Sequence, residues 1–283
     1  MKLYIIGNGF DLMHHMKTRY SDFKKWLIMN GRFDIIEEFQ SVFNSKQDND
    51  YLLWMDFEKA LGKYDIDVAQ SWSFQNLYVV ECFNSETKIL STDGFINVQL
   101  DDIVNDIFSQ WVSQIPLALQ RNVDLDSNAL YFSFNYTDTL ERLYSLSEQN
   151  ILHIHGRASK GEHLVVGHNN YCDIKNHWND NVCIKEKNEH NEGIIYMNNL
   201  CKPIQEIIAN NKDFFTRLNH VDEVEVIGHS CSEIDIPYFK RIKESVQDNA
   251  IWKFNPYSEE DKIRINRLVR YCNISCWIWN INN

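Results

Sequence analysis

The chain has 283 residues, enough to bury a substantial core and to form either one large domain or a core domain with an insertion. Its 40 Asp and Glu residues outnumber its 28 Lys and Arg residues, giving a formal net charge of -12 at pH 7. A field of that sign repels polyanions, so nucleic acid is a disfavoured partner. No apolar stretch approaches the length needed to cross a bilayer, so we expect no membrane insertion.

Cysteine usage predicts a reducing compartment. The seven cysteines are odd in number and widely scattered, and the N-terminus lacks a signal-peptide pattern. Cys272 and Cys276 form a C-x-x-x-C spacing without a second pair, and the other His, Cys and Asp residues show no metal-ligand spacing. We therefore expect a cytoplasmic protein with reduced thiols and no metal.

The first predicted element is a buried strand that ends in a glycine-rich turn. The apolar run at residues 3–6 is followed by Gly7, Asn8 and Gly9. Glycine allows the backbone to approach a phosphate or ribose closely, and a following helix would aim free N–H groups at an anion. Leu12 stands where the third glycine of the dinucleotide fingerprint would lie. The segment alone favours equally a nucleotide-binding turn and a tight turn without ligand.

A mainly helical region follows the first strand. Apolar residues recur at helical spacing in four segments. These predicted helices are Tyr20–Met29, Phe33–Phe43, Phe57–Leu61 and Val98–Leu119. We therefore predict a large helical insertion at residues 19–127, and a core domain formed by residues 1–18 and 128–283.

Beyond the insertion, short runs rich in β-branched and aromatic residues are typical of strands. The predicted strands are Ala129–Phe134, Ile151–Ile154, His163–Val166, Val224–Ile227, Ile251–Phe254 and Ile274–Ile278. Helix-start signals separate several of them, for example Asp138 with Glu141 three positions later. The alternation predicts an α/β fold with a Rossmann-like, mainly parallel sheet and helices on both faces.

Polar, small or turn-forming residues follow five of the predicted strands. In an open parallel sheet, a ligand binds outside the carboxyl ends of the strands. The segments at those ends are Gly7-Asn8-Gly9, Asn135-Tyr136-Thr137, His155-Gly156, Gly228-His229-Ser230 and Asn255-Pro256. If the sheet order brings them together, they line one crevice.

Motifs over nearly the whole chain resemble the bacteriophage abortive-infection AbiH family. They are Gly7-Asn8-Gly9-Phe10-Asp11-Leu12, Thr18-Arg19-Tyr20-Ser21-Asp22-Phe23, Ser133-Phe134-Asn135-Tyr136-Thr137, His153-Ile154-His155-Gly156, and Ile227-Gly228-His229-Ser230 with Asp235. This resemblance implies a role in phage defence.

A more remote resemblance is to sirtuin-like (SIR2-like) domains, Rossmann-type proteins that cleave the nicotinamide bond of NAD. It implies that Asn135 contacts the nicotinamide ribose and that His155 is the base. The residues it implies in NAD binding are Gly7, Asn8, Gly9 and Phe10 in the first loop, and Gly228, Ser230 and Asn255 around the adenosine half. The paired-cysteine zinc ribbon of protein-deacylating sirtuins has no counterpart, so lysine deacylation is disfavoured.

The chemistry of that cleavage explains the residue types. Positive charge develops on the ribose, so the site must orient the sugar and supply a base near neutral pH, which suits histidine. His155 lies nearer the strand end than His153, which we expect to be a core or supporting residue. Asn135 offers the donor and acceptors that a ribose diol requires. Asp11 would repel a pyrophosphate, so it either faces a ribose, orients the base or caps the first helix.

The sequence thus predicts an antiphage effector that binds NAD and hydrolyses its nicotinamide–ribose bond, with His155, Asn135 and Asp11 as catalytic residues. The alternative is a non-catalytic sensor of a nucleotide or ADP-ribose-like signal that acts through a protein partner. An effector that stays silent in healthy cells needs a gate, for which a homo-oligomer or a phage-derived trigger are candidates. A nuclease would need a basic groove or an acidic metal cluster, and the sequence displays neither.

Overall fold

The computed structural model describes residues 1–43, 54, 57–61, 103–169 and 201–279. The chain forms two compact units. The first comprises Met1–Arg19, Ser109–Val165 and Pro203–Asn283, and the second comprises Tyr20–Phe108 and Val166–Lys202. Of the insertion predicted at residues 19–127, Arg19 and residues 109–127 belong with the first unit, and residues 166–202 join the second unit. The sequence did not mark the change near residue 108, because helical periodicity runs through Phe108 and Trp111.

A parallel sheet forms the centre of the first unit. Within the described residues its strands are β1 (Lys2–Ile6), β2 (Leu130–Ser133), β3 (Ile151–His153), β4 (Glu223–Ile227), β5 (Ile251–Phe254) and β6 (Trp277–Trp279). All neighbouring pairs are parallel, and the strand order is β3-β2-β1-β4-β5-β6. This is the doubly wound order of Rossmann folds, so the predicted fold class is confirmed.

The described helices follow in chain order. They are α1 (Asn8–Met13), α2 (Tyr20–Met29), α3 (Phe33–Phe43), α4 (Phe57–Leu61), α5 (Ser109–Ser113), α6 (Thr139–Arg142), α7 (Ile204–Asn210), α8 (Lys212–Arg217), α9 (Ile236–Ser245) and α10 (Glu259–Tyr271), with a π-helix at Ile103–Phe108. Short 3-10 turns lie at Glu148–Asn150, Ala158–Lys160, Leu218–His220 and Glu233–Asp235. The helix predicted to reach Leu119 ends at Ser113, because Pro116 disfavours helical geometry just before it.

Two strand predictions differ from the structure. Residues 163–166 form no strand, and their backbone instead packs on the turn after β3, where the Val165 N–H donates to the His155 carbonyl at 3.0 Å. The last strand begins at Trp277 rather than at Ile274, because the chain still turns there, with Asn273 at a φ of 52°. Apolar composition alone does not separate a buried turn from a strand.

Successive side chains of β1 belong alternately to two hydrophobic clusters. Leu3 and Ile5 belong to the larger cluster, which includes residues of α7 to α10. Tyr4 and Ile6 belong to a second cluster, which includes Phe10 of α1 and Leu140 of α6. Strand side chains point alternately to opposite faces, so the two clusters lie on opposite sides of the sheet. Helices therefore cover both faces, as predicted.

The described part of the second unit has an aromatic core. Phe39 and Phe57 make an edge contact with ring centres 5.0 Å apart, and Phe23 and Phe108 make another at 5.2 Å. Trp54 stacks on Phe57 at 5.8 Å. Such pairs add to the stabilisation from burial, so these rings link α3 to α4 and α2 to the π-helix.

The ends of β1 and β4 meet backbone to backbone through three glycines, and we call this contact the glycine seam. The Gly7 N–H donates to the Ile227 carbonyl at 3.0 Å, and the Gly9 N–H donates to the Gly228 carbonyl at 2.7 Å. A Cβ on Gly9 would lie 2.7 Å from the Gly228 Cα, and one on Gly228 would lie 2.1 Å from the Phe10 nitrogen. Gly228 also has a φ of +66°. No side chain fits at these positions without moving the backbone.

Gly228→Ala is expected to lower the free energy of unfolding by at least about 3 kcal/mol, because strain at positive φ adds to a clash with backbone atoms. Gly161→Ala is the matched control: Gly161 has a φ of +64° but nothing within 4 Å of its added Cβ. That variant should lose only about 1 kcal/mol. Urea unfolding of both proteins measures the difference, and equal losses would show that the seam is not tightly packed.

Candidate functional site

Residues from four strand ends lie at one level on the carboxyl edge of the sheet. Ile6 pairs with Ser133 and with Ile227, and Ser133 pairs with His153. Two residues beyond that paired row stand Asn8, Asn135, His155 and His229. All belong to the first unit, at the switch point where doubly wound folds bind ligands. The structure thus places four of the five strand ends that the sequence singled out at one level.

The glycine turn is occupied by protein contacts. The Gly7 and Gly9 N–H groups bind the end of β4, and the Phe10 N–H donates to the Gly7 carbonyl at 2.9 Å. The seam therefore explains both glycines, and these N–H groups do not point at an anion as the sequence led us to expect. Phe10 is fully buried, with its ring centre 5.6 Å from that of Tyr144. Asn8 is exposed, and contact of this turn with a nucleotide stays a prediction.

Asp11 is buried and binds the segment after β2. Its two carboxylate oxygens accept hydrogen bonds from the hydroxyls of Thr137 at 2.6 Å and Thr139 at 2.8 Å. Burial raises the pKa of Asp11, and the two hydroxyl bonds oppose that shift. Asp11 does not cap α1, whose N-cap is Gly7. It joins α1 to the first residue of α6, and its catalytic role stays a prediction.

Asn135 presents a buried acceptor at the edge of the sheet. Its backbone carbonyl accepts a hydrogen bond from His153 Nδ1 at 3.1 Å, and its N–H donates to Ser133 Oγ at 3.2 Å. Its side-chain oxygen Oδ1 is buried and has no hydrogen-bond partner among the described residues. Buried polar atoms are usually paired, so such an oxygen suits a bound hydroxyl or amide group.

His155 lies in an aromatic enclosure. Its ring centre is 5.3 Å from that of Phe134, 5.7 Å from that of Tyr238 and 6.2 Å from that of Tyr136. His155 is buried, with 3% of its surface exposed. Gly156 follows with a φ of +80°, and a Cβ there would meet the His163 carbonyl at 2.5 Å. A tight turn therefore holds the imidazole against the rings.

His229 and Asp235, two residues of the motif that resembles the AbiH family, lie against each other. His229 Nδ1 accepts a hydrogen bond from the Cys231 N–H at 2.9 Å, so the proton of the neutral ring is on Nε2. Nε2 lies 3.4 Å from Asp235 Oδ2. The His229 ring lies 4.3 Å from that of Phe134, which also contacts His155. This pair therefore belongs to the same aromatic group as the predicted base.

A partly buried charge network, which the sequence did not reveal, contacts Asn135 through His153. Glu141 Oε1 lies 2.8 Å from His153 Nε2 and 3.0 Å from Arg157 Nη1. Burial by itself raises the pKa of Glu141, but the bond to His153 and the charges of His153 and Arg157 hold it below its usual range. In the sequence, Glu141 is only the acidic residue of a helix start, because its partners come from two later segments.

Two further predicted residues lie on the β4 side of β1. Ser230 is exposed and Asn255 is half-buried, after β4 and β5 respectively. On the β2 side of β1, a recess beside the turn after Asn135 is lined by Met16, Val112, Ser113, Ile115, Leu117, Tyr136, Thr137, Asp138, Arg142 and Ser159. The edge therefore has polar groups on both sides of the glycine seam.

Among the described residues, no three His, Cys, Asp or Glu side chains are grouped to hold a metal ion, and the expectation of a metal-free site stays a prediction. Within the same residues, no helix has the length and apolar character to span a membrane.

The strand order and the carboxyl-edge residues define a Rossmann-like α/β protein with a candidate ligand site at its switch point. A family model described as Bacteriophage abortive infection AbiH matches residues 3–256. The chain therefore belongs to the AbiH family, and the match includes every strand end from Gly7 to Asn255. No curated protein and no solved structure matches the chain. The likeness to SIR2-like domains stays a prediction.

Asp11→Asn tests the cost of the buried carboxylate. Because the folded-state pKa is raised, the carboxyl contributes stability below its ordinary value near 3.8, and this contribution is lost as pH rises through the folded pKa. The stability of the parent relative to Asp11→Asn should therefore fall as pH rises from about 4 through the folded-state pKa, by about 1.4 kcal/mol for each unit of pKa elevation. Urea unfolding across that range measures it.

Asp248→Asn, at an exposed aspartate, is the control for the change in net charge. A parent-to-Asp11→Asn difference that is the same at every pH would contradict the assignment of a raised pKa to Asp11.

Proposed function

We propose that this AbiH-family protein is an abortive-infection effector that binds NAD at the carboxyl edge of β1 to β5 and cleaves the nicotinamide–ribose bond. Family membership supports a role in phage abortive infection. The observation that carries the choice of substrate is the pairing of Asn135 and His155 at one level of neighbouring strands, with Asn135 Oδ1 buried and without a partner among the described residues.

The strand order supports one orientation of the dinucleotide. Asn135 and His155 follow β2 and β3, on one side of the glycine seam, while Ser230 and Asn255 follow β4 and β5, on the other. A dinucleotide laid across the switch point would place the nicotinamide ribose at Asn135 and the adenosine half near Ser230 and Asn255. The middle portion of the dinucleotide would then cross the glycine seam, where it would face backbone rather than side chains.

The reaction then needs one sugar contact and one base. The bond between ribose C1′ and the nicotinamide nitrogen breaks, and its electron pair stays with nicotinamide, which leaves as a neutral molecule. A water oxygen bonds to C1′ while His155 accepts a water proton, giving ADP-ribose. Asn135 Oδ1 accepts a hydrogen bond from a ribose hydroxyl and orients the sugar. A positioned base of this kind contributes about 10²–10⁴ in rate.

The burial of His155 favours a second candidate function. With 3% exposure, its imidazole can be screened from a ligand that still reaches Asn135. The same edge would then bind NAD or an ADP-ribose-like signal without turnover and pass the signal to a protein partner. Affinity for the nucleotide is common to the two functions, whereas turnover separates them.

Nicotinamide release from NAD tests the proposal, with purified protein and with infected cells that supply any phage-derived trigger. His155→Ala should lower kcat by at least about 100-fold through loss of the base. Asn135→Ala should lower kcat/KM by about tenfold or more through loss of one buried hydrogen bond to the ribose. His220→Ala, at an exposed histidine of the same unit, should match the parent.

Each outcome separates the candidates. Release by the parent and by His220→Ala, but not by His155→Ala, supports NAD cleavage. NAD binding without release in either setting indicates the sensor. Neither binding nor release, with the parent folded and phage present, overturns both.

A further inference from the structure

Buried histidines in the first unit differ in what their ring nitrogens face. His14 Nδ1 lies 2.7 Å from the Phe10 carbonyl, while its Nε2 accepts from the Asn122 N–H at 3.3 Å. One donor nitrogen and one acceptor nitrogen describe a neutral ring. His229 is likewise neutral, because its Nδ1 accepts from the Cys231 N–H. For these two residues, the surroundings require a single ring proton.

Both ring nitrogens of His153 face acceptors. Nδ1 lies 3.1 Å from the backbone carbonyl oxygen of Asn135, and Nε2 lies 2.8 Å from Glu141 Oε1. A carbonyl can only accept a hydrogen bond, and so can an ionised carboxylate. A neutral imidazole has one N–H and would direct a lone pair at one of the two oxygens. Only the doubly protonated ring satisfies both.

We propose that His153 is a positioning residue, held as an imidazolium by Glu141, whose Nδ1–H fixes the carbonyl of Asn135 and thereby aims the Asn135 side chain into the candidate site. This deepens the proposed function and rests on it for the catalytic consequence. The protonation state of His153 and the orientation of Asn135 can be tested without NAD.

The charges around His153 support an imidazolium. Glu141 lies against Nε2, and the His153 and Glu141 side chains are only 5% and 10% exposed, so water screens their attraction weakly. Arg157 also binds Glu141, but Glu148 at 3.5 Å and Glu162 at 3.2 Å draw on the charge of Arg157. The carboxylates therefore balance both cations.

The positioning role has a distinct catalytic signature. When Glu141→Gln removes the charge beside Nε2, the ring keeps a single proton, one of its two hydrogen bonds is lost, and the turn that carries Asn135 is released. NAD cleavage by this variant should then decline while the protein stays folded. A structural role that only stabilised the fold would not produce this decline in a folded protein.

Nitrogen-15 NMR of the histidine rings tests the proposal on the full chain at pH 7. The His153 signals are identified by their loss in His153→Gln. We expect both ring nitrogens of His153 to be protonated in the parent. Glu141→Gln keeps the side-chain shape and removes the charge, so His153 should become neutral. Glu148→Gln removes a carboxylate that contacts Arg157 and Lys160 but not His153, and should leave the imidazolium unchanged.

A second NMR measurement monitors the side-chain amide signals of Asn135. These should shift in Glu141→Gln and stay in place in Glu148→Gln. A singly protonated His153 in the parent protein overturns the proposal. Asn135 amide signals that stay unchanged in Glu141→Gln, when His153 has lost its charge, overturn it as well. If the variants fail to fold, the parent spectrum alone still decides the protonation state. Failure of NAD cleavage with an imidazolium present would count against the proposed function and not against the positioning of Asn135.

Discussion

The backbone contact between the ends of β1 and β4 determines what the carboxyl edge can do. Three glycines let the two turns approach until N–H groups of one bind carbonyls of the other. In a doubly wound sheet, this is the place where chain connections diverge and ligands bind. Here the divergence leaves no opening between β1 and β4 themselves. Polar side chains are instead displayed on either side of the seam.

Because of this contact, residues that the sequence analysis grouped at one site have different roles in the structure. Gly7, Gly9 and Gly228 form the seam, and Phe10 belongs to the core, so their residue types follow from packing. Asp11 gives both carboxylate oxygens to threonine hydroxyls. The residues proposed to act on NAD lie on the side of β2 and β3, where Asn135 offers a buried acceptor and His155 lies among aromatic rings. The charge network of Glu141, His153 and Arg157 contacts Asn135 through the His153 ring.

Much of the fold could be predicted from the sequence because it is written in local patterns. Helices α2 and α3 follow apolar periodicity, and β5 is a short β-rich run that the structure confirms to the residue. The unit boundary near residue 108 could not be read, since helical spacing continues across it. The residues at 163–166 resembled a strand because their burial comes from packing on the turn after β3, which composition does not distinguish from pairing.

The candidate site was predictable only as far as strand ends go. A parallel sheet brings its carboxyl ends together whatever the details, so the location of Asn135 and His155 could be predicted from their positions after strands, whereas their roles rest on the SIR2-like resemblance. The pair of His229 and Asp235, and the contact of Glu141 with His153, depend on side-chain directions that only the packed helices α6 and α9 establish. For the same reason, the sequence could not show that the carboxylate of Asp11 accepts hydrogen bonds from Thr137 and Thr139.

A crystal structure of the His155→Ala protein with NAD tests the central claim most directly. The account predicts a dinucleotide across the glycine seam, with a hydroxyl of the nicotinamide ribose within hydrogen-bond distance of Asn135 Oδ1 and the adenosine half near Asn255. NAD bound elsewhere on the chain, or a carboxyl edge that stays empty when NAD is in large excess, would contradict it.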